Sequence, residues 1–150
     1  MKLTITELYE KMHQNMGDSG WWPAESKAEI IIGAIMIQNT NWRNADKAVA
    51  GFRKQTNFDP NQIRQLTTAE LYDLVRPAGF YKNKSRAVAA VFTWLSQYND
   101  DYRQVCQALG PTLRKELLKL HGIGDETADV LLTYIFEHRV LISDKYARVL

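Results

Sequence analysis

The sequence predicts an all-α fold, and three observations lead there. Apolar residues recur at helical spacing along almost the whole chain, alternating strand-type runs are missing, and residues that start or stop helices stand between the apolar stretches. The spacing predicts helices over 4–16, 25–39, 42–56, 68–76, 83–98, 101–109, 112–120 and 125–138, with a last one opening near Ser143. The run "TTAE" at 67–70 starts one of them as a capping box, Thr67 accepting from the backbone of Glu70 and Glu70 reaching back. Pro111 stands where a first-turn proline loses no hydrogen bond. Gly79 and Gly110 fall where helices should stop, as left-handed C-terminal caps.

Length and composition bound the answer further. At 150 residues and 45% hydrophobic, the chain can bury the core of one helical domain but not of a second complete one. Lys and Arg total 19 against 17 Asp and Glu, so the net charge of +2 does not itself announce a polyanionic partner, and any basic surface must be local. Cys106 is the only cysteine, which excludes an internal disulfide and any four-cysteine metal or iron–sulfur site within these residues. No stretch approaches the roughly 18 apolar residues of a membrane span, and "MKLTITELYEKMHQ" has no apolar signal core. These features lead us to expect a soluble, cytoplasmic protein without a membrane partner. Because Met1 leads straight into one predicted helix and Leu150 falls inside another, the chain is expected to be C-terminally incomplete relative to a natural domain.

The chemistry concentrates near the end, in "LHGIGDETADVLLTYIFEHRVLISDKYARVL" at 120–150. "LHGIG" (120–124) joins two predicted helices, giving a helix–hairpin–helix over about 112–138. Gly122 and Gly124 would let the backbone approach another molecule closely. The first amides of the following helix lack intrahelical acceptors and carry the positive end of its dipole, a ready phosphate site. On spacing alone, a plain turn between packed helices is the modestly favoured explanation of the two glycines. Asp144 opens the last predicted helix, where it is either an ordinary cap or an ionised carboxylate with a task. Lys82, Lys84 and Arg86 give local positive charge at 82–86, a pattern that is often only a solvated helix start.

Taken together, these stretches resemble the endonuclease III superfamily of helix–hairpin–helix DNA glycosylases. "LHGIGDETA" is similar to its L-x-G-[IV]-G-x-x-[TS]-A hairpin, and Asp144 follows Glu126 by eighteen residues, the family's spacing to its aspartate. "IIIGAIMIQNTNW" (30–42) resembles its helix ending in a glutamine-bearing turn, and "AGFYKNKSRAV" (78–88) its G-[FLY]-Y-x-x-K-[AS] segment. The resemblance covers roughly residues 20–150 in the family's order. It implies double-stranded DNA with a damaged base as the partner and Asp144 as the catalytic carboxylate, facing a deoxyribose that becomes positively charged as the glycosidic bond breaks. It also implies DNA contacts from Gln38, Asn39, Lys84, Gly122, Gly124 and Lys145.

Strand-nicking members of the family carry a lysine where this chain has Glu126, and a carboxylate cannot form their imine, so a monofunctional glycosylase is expected. Lys145 follows Asp144 directly, and neighbours on a helix diverge by about 100°, so both cannot readily face one sugar. "WWP" at 21–23 and Trp42 resemble the aromatic base pocket of the 3-methyladenine glycosylase branch, with Trp22 and Trp42 as walls, Trp21 less central and Glu126 nearby. A cationic alkylated purine on an indole face would gain about 0.5–2 kcal/mol. Family members continue past the aspartate into a second lobe, often with a four-cysteine cluster. Here that lobe would be incomplete and its exposed apolar surface would encourage self-association. No cofactor is expected within this chain. A mismatch or oxidised-pyrimidine glycosylase of the same superfamily, and a non-catalytic DNA-binding module, remain alternatives.

Overall fold

The computed structural model describes residues 24–136, which contain helices and turns and no strand. Within that range run α1 (Ala24–Met36), α2 (Trp42–Thr56), α3 (Pro60–Gln65), α4 (Thr68–Val75), α5 (Tyr81–Ser96), α6 (Tyr102–Leu109), α7 (Leu113–Leu118) and α8 (Asp125–Tyr134). Short 3-10 turns at Arg76–Ala78 and Gly110–Thr112 lead into α5 and α7. The helix expected over 4–16, Trp21 and Trp22, and the helix near Ser143 with Asp144 and Lys145 lie outside the described residues. No helix among the described residues is long and apolar enough to cross a membrane.

α1 is the spine because its second half, 30–36, is apolar all round, a composition that demands burial on every side. Ala28, Ile30, Ile31, Ile32, Ala34, Ile35 and Met36 are all buried, and α2, α5 and α8 pack around them. α2 supplies Ala45, Ala48, Val49, Phe52 and Thr56, an i, i+3, i+4, i+7, i+11 stripe, and leaves its charged face to solvent. Its start is fixed by the Asn41 side chain, which accepts from the Asn44 amide at 2.9 Å.

The Thr67 capping box forms as expected, Glu70 N donating to Thr67 Oγ1 at 3.1 Å and Thr67 N to Glu70 Oε1 at 2.9 Å. Other boundaries differ. α1 ends at Met36 rather than 39, because residues 37–40 leave the helix as a turn in which Asn39 has φ 54°. α3 had not been expected; its start is readable as Asp59, whose side chain accepts from Asn61 N at 3.0 Å, followed by a first-turn proline. α5 begins at Tyr81, two residues earlier than the expected 83, since Phe80 already accepts from Lys84 N at 3.0 Å. Gly79 and Gly110 do end their segments, but with φ/ψ of 78°/166° and 49°/−126° rather than as left-handed helical caps. Both conformations favour glycine all the same. Pro111 sits at the start of the 3-10 turn, and α7 begins after it at Leu113.

Candidate nucleic-acid interface

Three connections meet at the N-terminal end of α5. The first is the turn after α1, carrying Gln38 and Asn39. The second is Gly79–Phe80. The third is the hairpin between α7 and α8. Gln38 ties the first to the third: its Nε2 donates to Gly122 O at 3.0 Å and to Thr127 Oγ1 at 2.9 Å, across more than eighty residues of chain. The hairpin rests on α5 through Gly122, which has φ 76° and whose added Cβ would come within 2.8 Å of Ala87 Cβ. Gly122 is therefore required twice, by its backbone angle and by contact. Gly124 is different, with φ −94° and no atom within 4 Å of an added Cβ. Its use as glycine is open space in front of α8, whose first amides no side chain caps.

The hairpin is braced from behind by Arg114 of α7, which bonds Asp125 Oδ1 through Nη2 and Asp129 Oδ1 through Nε, both at 3.0 Å. Asp129 is buried, while Asp125 and Glu126 are exposed on the first turn of α8. Arg114 thus offsets the Asp125 carboxylate, one of the two exposed on the first turn of α8. No local pattern announces this bridge, although arginine eleven residues before one aspartate and fifteen before another is a pairing the hairpin geometry makes natural.

One expected DNA contact needs correction. Lys84 does not reach solvent: it is 3% exposed, and its Nζ donates to Met36 O at 2.8 Å and Ala78 O at 2.9 Å. Burial pulls its pKa down to about 8. The helix starts earlier than expected and turns Lys84 inward, on the same stripe as Val88, Val91 and Leu95, leaving Lys82 and Arg86 exposed. Gln38 is half-buried, with its amide nitrogen bonded to the hairpin. Asn39, its neighbour, is exposed.

Trp42 opens α2, half-buried against the core, and its buried Nε1 has no hydrogen-bond partner. An indole N–H left so costs about 1–3 kcal/mol. The side chain not singled out from sequence is Phe80, 64% exposed and held at φ 47°, ψ 42°. A bulky residue at left-handed angles is rare and costs about 1–2 kcal/mol. Its signal was present in "AGFY": an aromatic residue wedged between a helix-stopping glycine and a helix start has no core position to fill. Beside it, Arg76 stacks on the Tyr81 ring at 4.4 Å, and Tyr81 meets Tyr72 edge-on at 5.1 Å. A four-cysteine cluster does not fit these residues, since Cys106 is the chain's one cysteine, and no group of three or more potential metal ligands occurs among the described residues.

This arrangement has relatives. Residues 32–122 match the family described as HhH-GPD superfamily base excision DNA repair protein, a span that takes in all three connections up to the first hairpin glycine. A protein of Methanocaldococcus jannaschii whose given name is that of a DNA repair glycosylase is 31% identical over 146 residues, 96% of this chain and 66% of its own. Endonuclease III of Thermotoga maritima is 25% identical over 118 residues, 78% of this chain and 51% of its own. The chain thus spans between half and two thirds of the length of these relatives. Among solved structures, the fold is similar to that of the H. pylori 3-methyladenine DNA glycosylase (MagIII) bound to 1,N6-ethenoadenine, with TM-score 0.65 and 24% identity over 88% of this chain and 63% of that one. It is also similar to a trapped endonuclease III–DNA covalent intermediate, with TM-score 0.59 and 22% identity over 89% of this chain and 61% of that one. With the hairpin, the turn after α1 and the Gly79–Phe80 segment in that order and on that scaffold, the chain belongs to the HhH-GPD superfamily of base excision DNA repair proteins.

Proposed function

We propose that the chain is the DNA-engaging part of a monofunctional glycosylase that flips an alkylated purine, of the 3-methyladenine kind, out of duplex DNA and hydrolyses its glycosidic bond. The observation that carries the monofunctional half is Glu126, exposed on the first turn of the hairpin helix, where the strand-nicking members use a lysine. A carboxylate has no amine to attack C1′, so water must do so. Asp144 takes the proton of that water as the C1′–N bond breaks and its electron pair leaves with the base. The α8 amides and the open space before Gly124 suit a phosphate. Exposed Lys82 and Arg86 supply charge in place of Lys84, and Phe80 is an apolar side chain able to enter a base step.

The alkylpurine half rests on Trp21, Trp22 and Trp42 as aromatic walls for a cationic base, and it draws support from the fold's likeness to a 3-methyladenine glycosylase. The deciding measurement is base release from methylated duplex by the chain and by its Asp144→Asn variant. Release of methylated purine that falls at least about a hundredfold in the variant is the expected result. No release by a longer form that completes the second lobe, with Asp144 intact, would sink the reading. A borohydride-trapped protein–DNA adduct would overturn the monofunctional claim. Release of oxidised pyrimidine instead, from a panel of lesion duplexes, would move the substrate assignment to the family's other branch.

A further inference from the structure

We propose that Lys84 is a positioning residue: by bonding the last carbonyl of α1 and the carbonyl of Ala78 at once, it holds the Asn39 turn and the Phe80 turn in register with the hairpin. The proposal rests on the DNA-binding reading given above. Met36 O, at 2.8 Å from Nζ, lies three residues before Asn39, and Ala78 O, at 2.9 Å, lies two residues before Phe80. Asn39 and Phe80, both exposed and left-handed, are thus each tethered just upstream by the same ammonium group. The third connection is fixed to the same helix one turn further on, where Gly122 meets Ala87.

The Gly33 and Ile35 carbonyls of α1 accept from Ile37 N at 3.0 Å and Gln38 N at 3.4 Å, so ordinary backbone closure serves the neighbours of Met36. Met36 O is served instead by a side chain brought from 48 residues away. A buried lysine is also a poor way to fill the core stripe of Val88, Val91 and Leu95, since desolvating an ammonium group is costly where methionine would pack without penalty. What lysine provides and methionine cannot is a pair of directional donors shared by two chain segments. A hydrogen-bonded tether of this kind fixes position within a few tenths of an ångström, the tolerance that base extrusion imposes on the groups flanking it.

Two readouts test this with Lys84→Met and Lys84→Arg. In native-state hydrogen exchange, the amides of Gln38, Thr40 and Gly79 should exchange at least about tenfold faster in Lys84→Met, while those of Tyr98 and Asp100 at the far end of α5 keep their wild-type rates. An equal acceleration at both ends means a global stability role and overturns the proposal. So does no acceleration at either end. In binding to a duplex holding a tetrahydrofuran abasic analogue, Lys84→Met should weaken affinity by about tenfold to a hundredfold, leaving undamaged duplex within about twofold. Lys84→Arg, which keeps charge and donors, should restore most of both effects, and if Lys84→Met does not fold, a folded Lys84→Arg that loses the protection of both turns overturns the proposal. Wild type without preference for the abasic duplex would count against the DNA-binding reading, while the exchange rates still decide the tether.

Discussion

At the C-terminal end of α5, Asn99 and Asp100 take left-handed angles, φ 58° and 56°. Asp100 is held there by Arg64, whose Nη1 and Nη2 donate to its two carboxylate oxygens at 2.8 and 2.6 Å, with a further bond to Phe92 O at 2.9 Å. At the N-terminal end, Asn39 and Phe80 take similar angles, φ 54° and 47°, and both side chains stand in solvent. The C-terminal end closes the strain of Asp100 within a polar network, gives exposed Asn99 a bond from its Nδ2 to Gln104 Oε1 at 3.1 Å, and backs both with edge-on rings, Trp94 against Tyr98 at 5.7 Å and Trp94 against Phe136 at 6.2 Å. The other keeps its tethers underneath, in Lys84 and Gln38, and leaves the strained side chains themselves uncovered. Strain that persists without local satisfaction is tolerated where it serves a partner. The contrast supports the proposal that the N-terminal end is the face that meets DNA.

The largest effect that would break this contrast comes from the two hairpin glycines. Gly122→Ala places a methyl within 2.8 Å of Ala87 Cβ at φ 76° and should cost about 3 kcal/mol of stability in a denaturant melt. Gly124→Ala meets nothing and keeps an ordinary φ. Its stability should stay within about 0.5 kcal/mol of wild type, while affinity for duplex DNA falls because the methyl stands in the approach to the α8 amides. Equal losses of stability at both glycines would mean that the hairpin is only a packed turn.

Arg64→Ala tests the closed end. Removing the guanidinium strands the Asp100 carboxylate and the Phe92 carbonyl, and since the pair is about three-quarters buried the loss should be about 2 kcal/mol rather than the larger figure for a fully buried pair. DNA affinity and its salt dependence should be unchanged. A fall in affinity out of proportion to stability would mean that the two ends are coupled.

These two ends were not equally legible in the sequence. The all-helical class, α2 and the Thr67–Glu70 box depend on residues three to seven apart, so local spacing revealed them. α3 escaped because six residues complete less than two turns and show no periodicity. The site was harder for a different reason. Hairpin, glutamine turn and Gly-Phe-Tyr segment were each recognisable, but the bonds joining them span 84 residues from Gln38 to Gly122 and 48 from Met36 to Lys84. Nothing in local pattern encodes which donor finds which carbonyl. "KNKSR" read as surface charge until the helix start moved by two residues, although Lys84, Val88, Val91 and Leu95 already fall at i, i+4, i+7 and i+11. The left-handed angle of Phe80 had no sequence signature beyond the glycine before it.

The pH dependence of stability separates the ends again. Lys84 has a folded pKa of about 8 against an ordinary 10.5, so between those values the unfolded chain binds more protons and stability should rise with pH. Tyr102, near Asp100, is pushed by burial up to about 12 from 10.0. Its stabilising contribution is full below pH 10 and is lost as pH climbs towards 12, the opposite sign. Wild type should therefore gain about 1–2 kcal/mol from pH 7.5 to 10 and then turn downward. Lys84→Met should lose the rise and keep the fall. A rise that survives in Lys84→Met would assign it to another group and remove the energetic signature of the buried ammonium.

The smallest expected change in stability is at Phe80, and its sign is the informative part. Phe80→Gly removes a left-handed penalty of about 1 kcal/mol and gives up little packing from a side chain that is 64% exposed. Glycine's extra freedom in the unfolded chain takes back part of that gain. The net should be a stabilisation of a few tenths of a kcal/mol in a denaturant melt. Affinity for the abasic duplex should fall by about tenfold, the cost of losing an apolar wedge between base steps, with undamaged duplex barely affected. A variant both less stable and unimpaired in binding would mean that Phe80 packs on its own fold, and the open end of α5 would then lose the feature that most distinguishes it from the closed one.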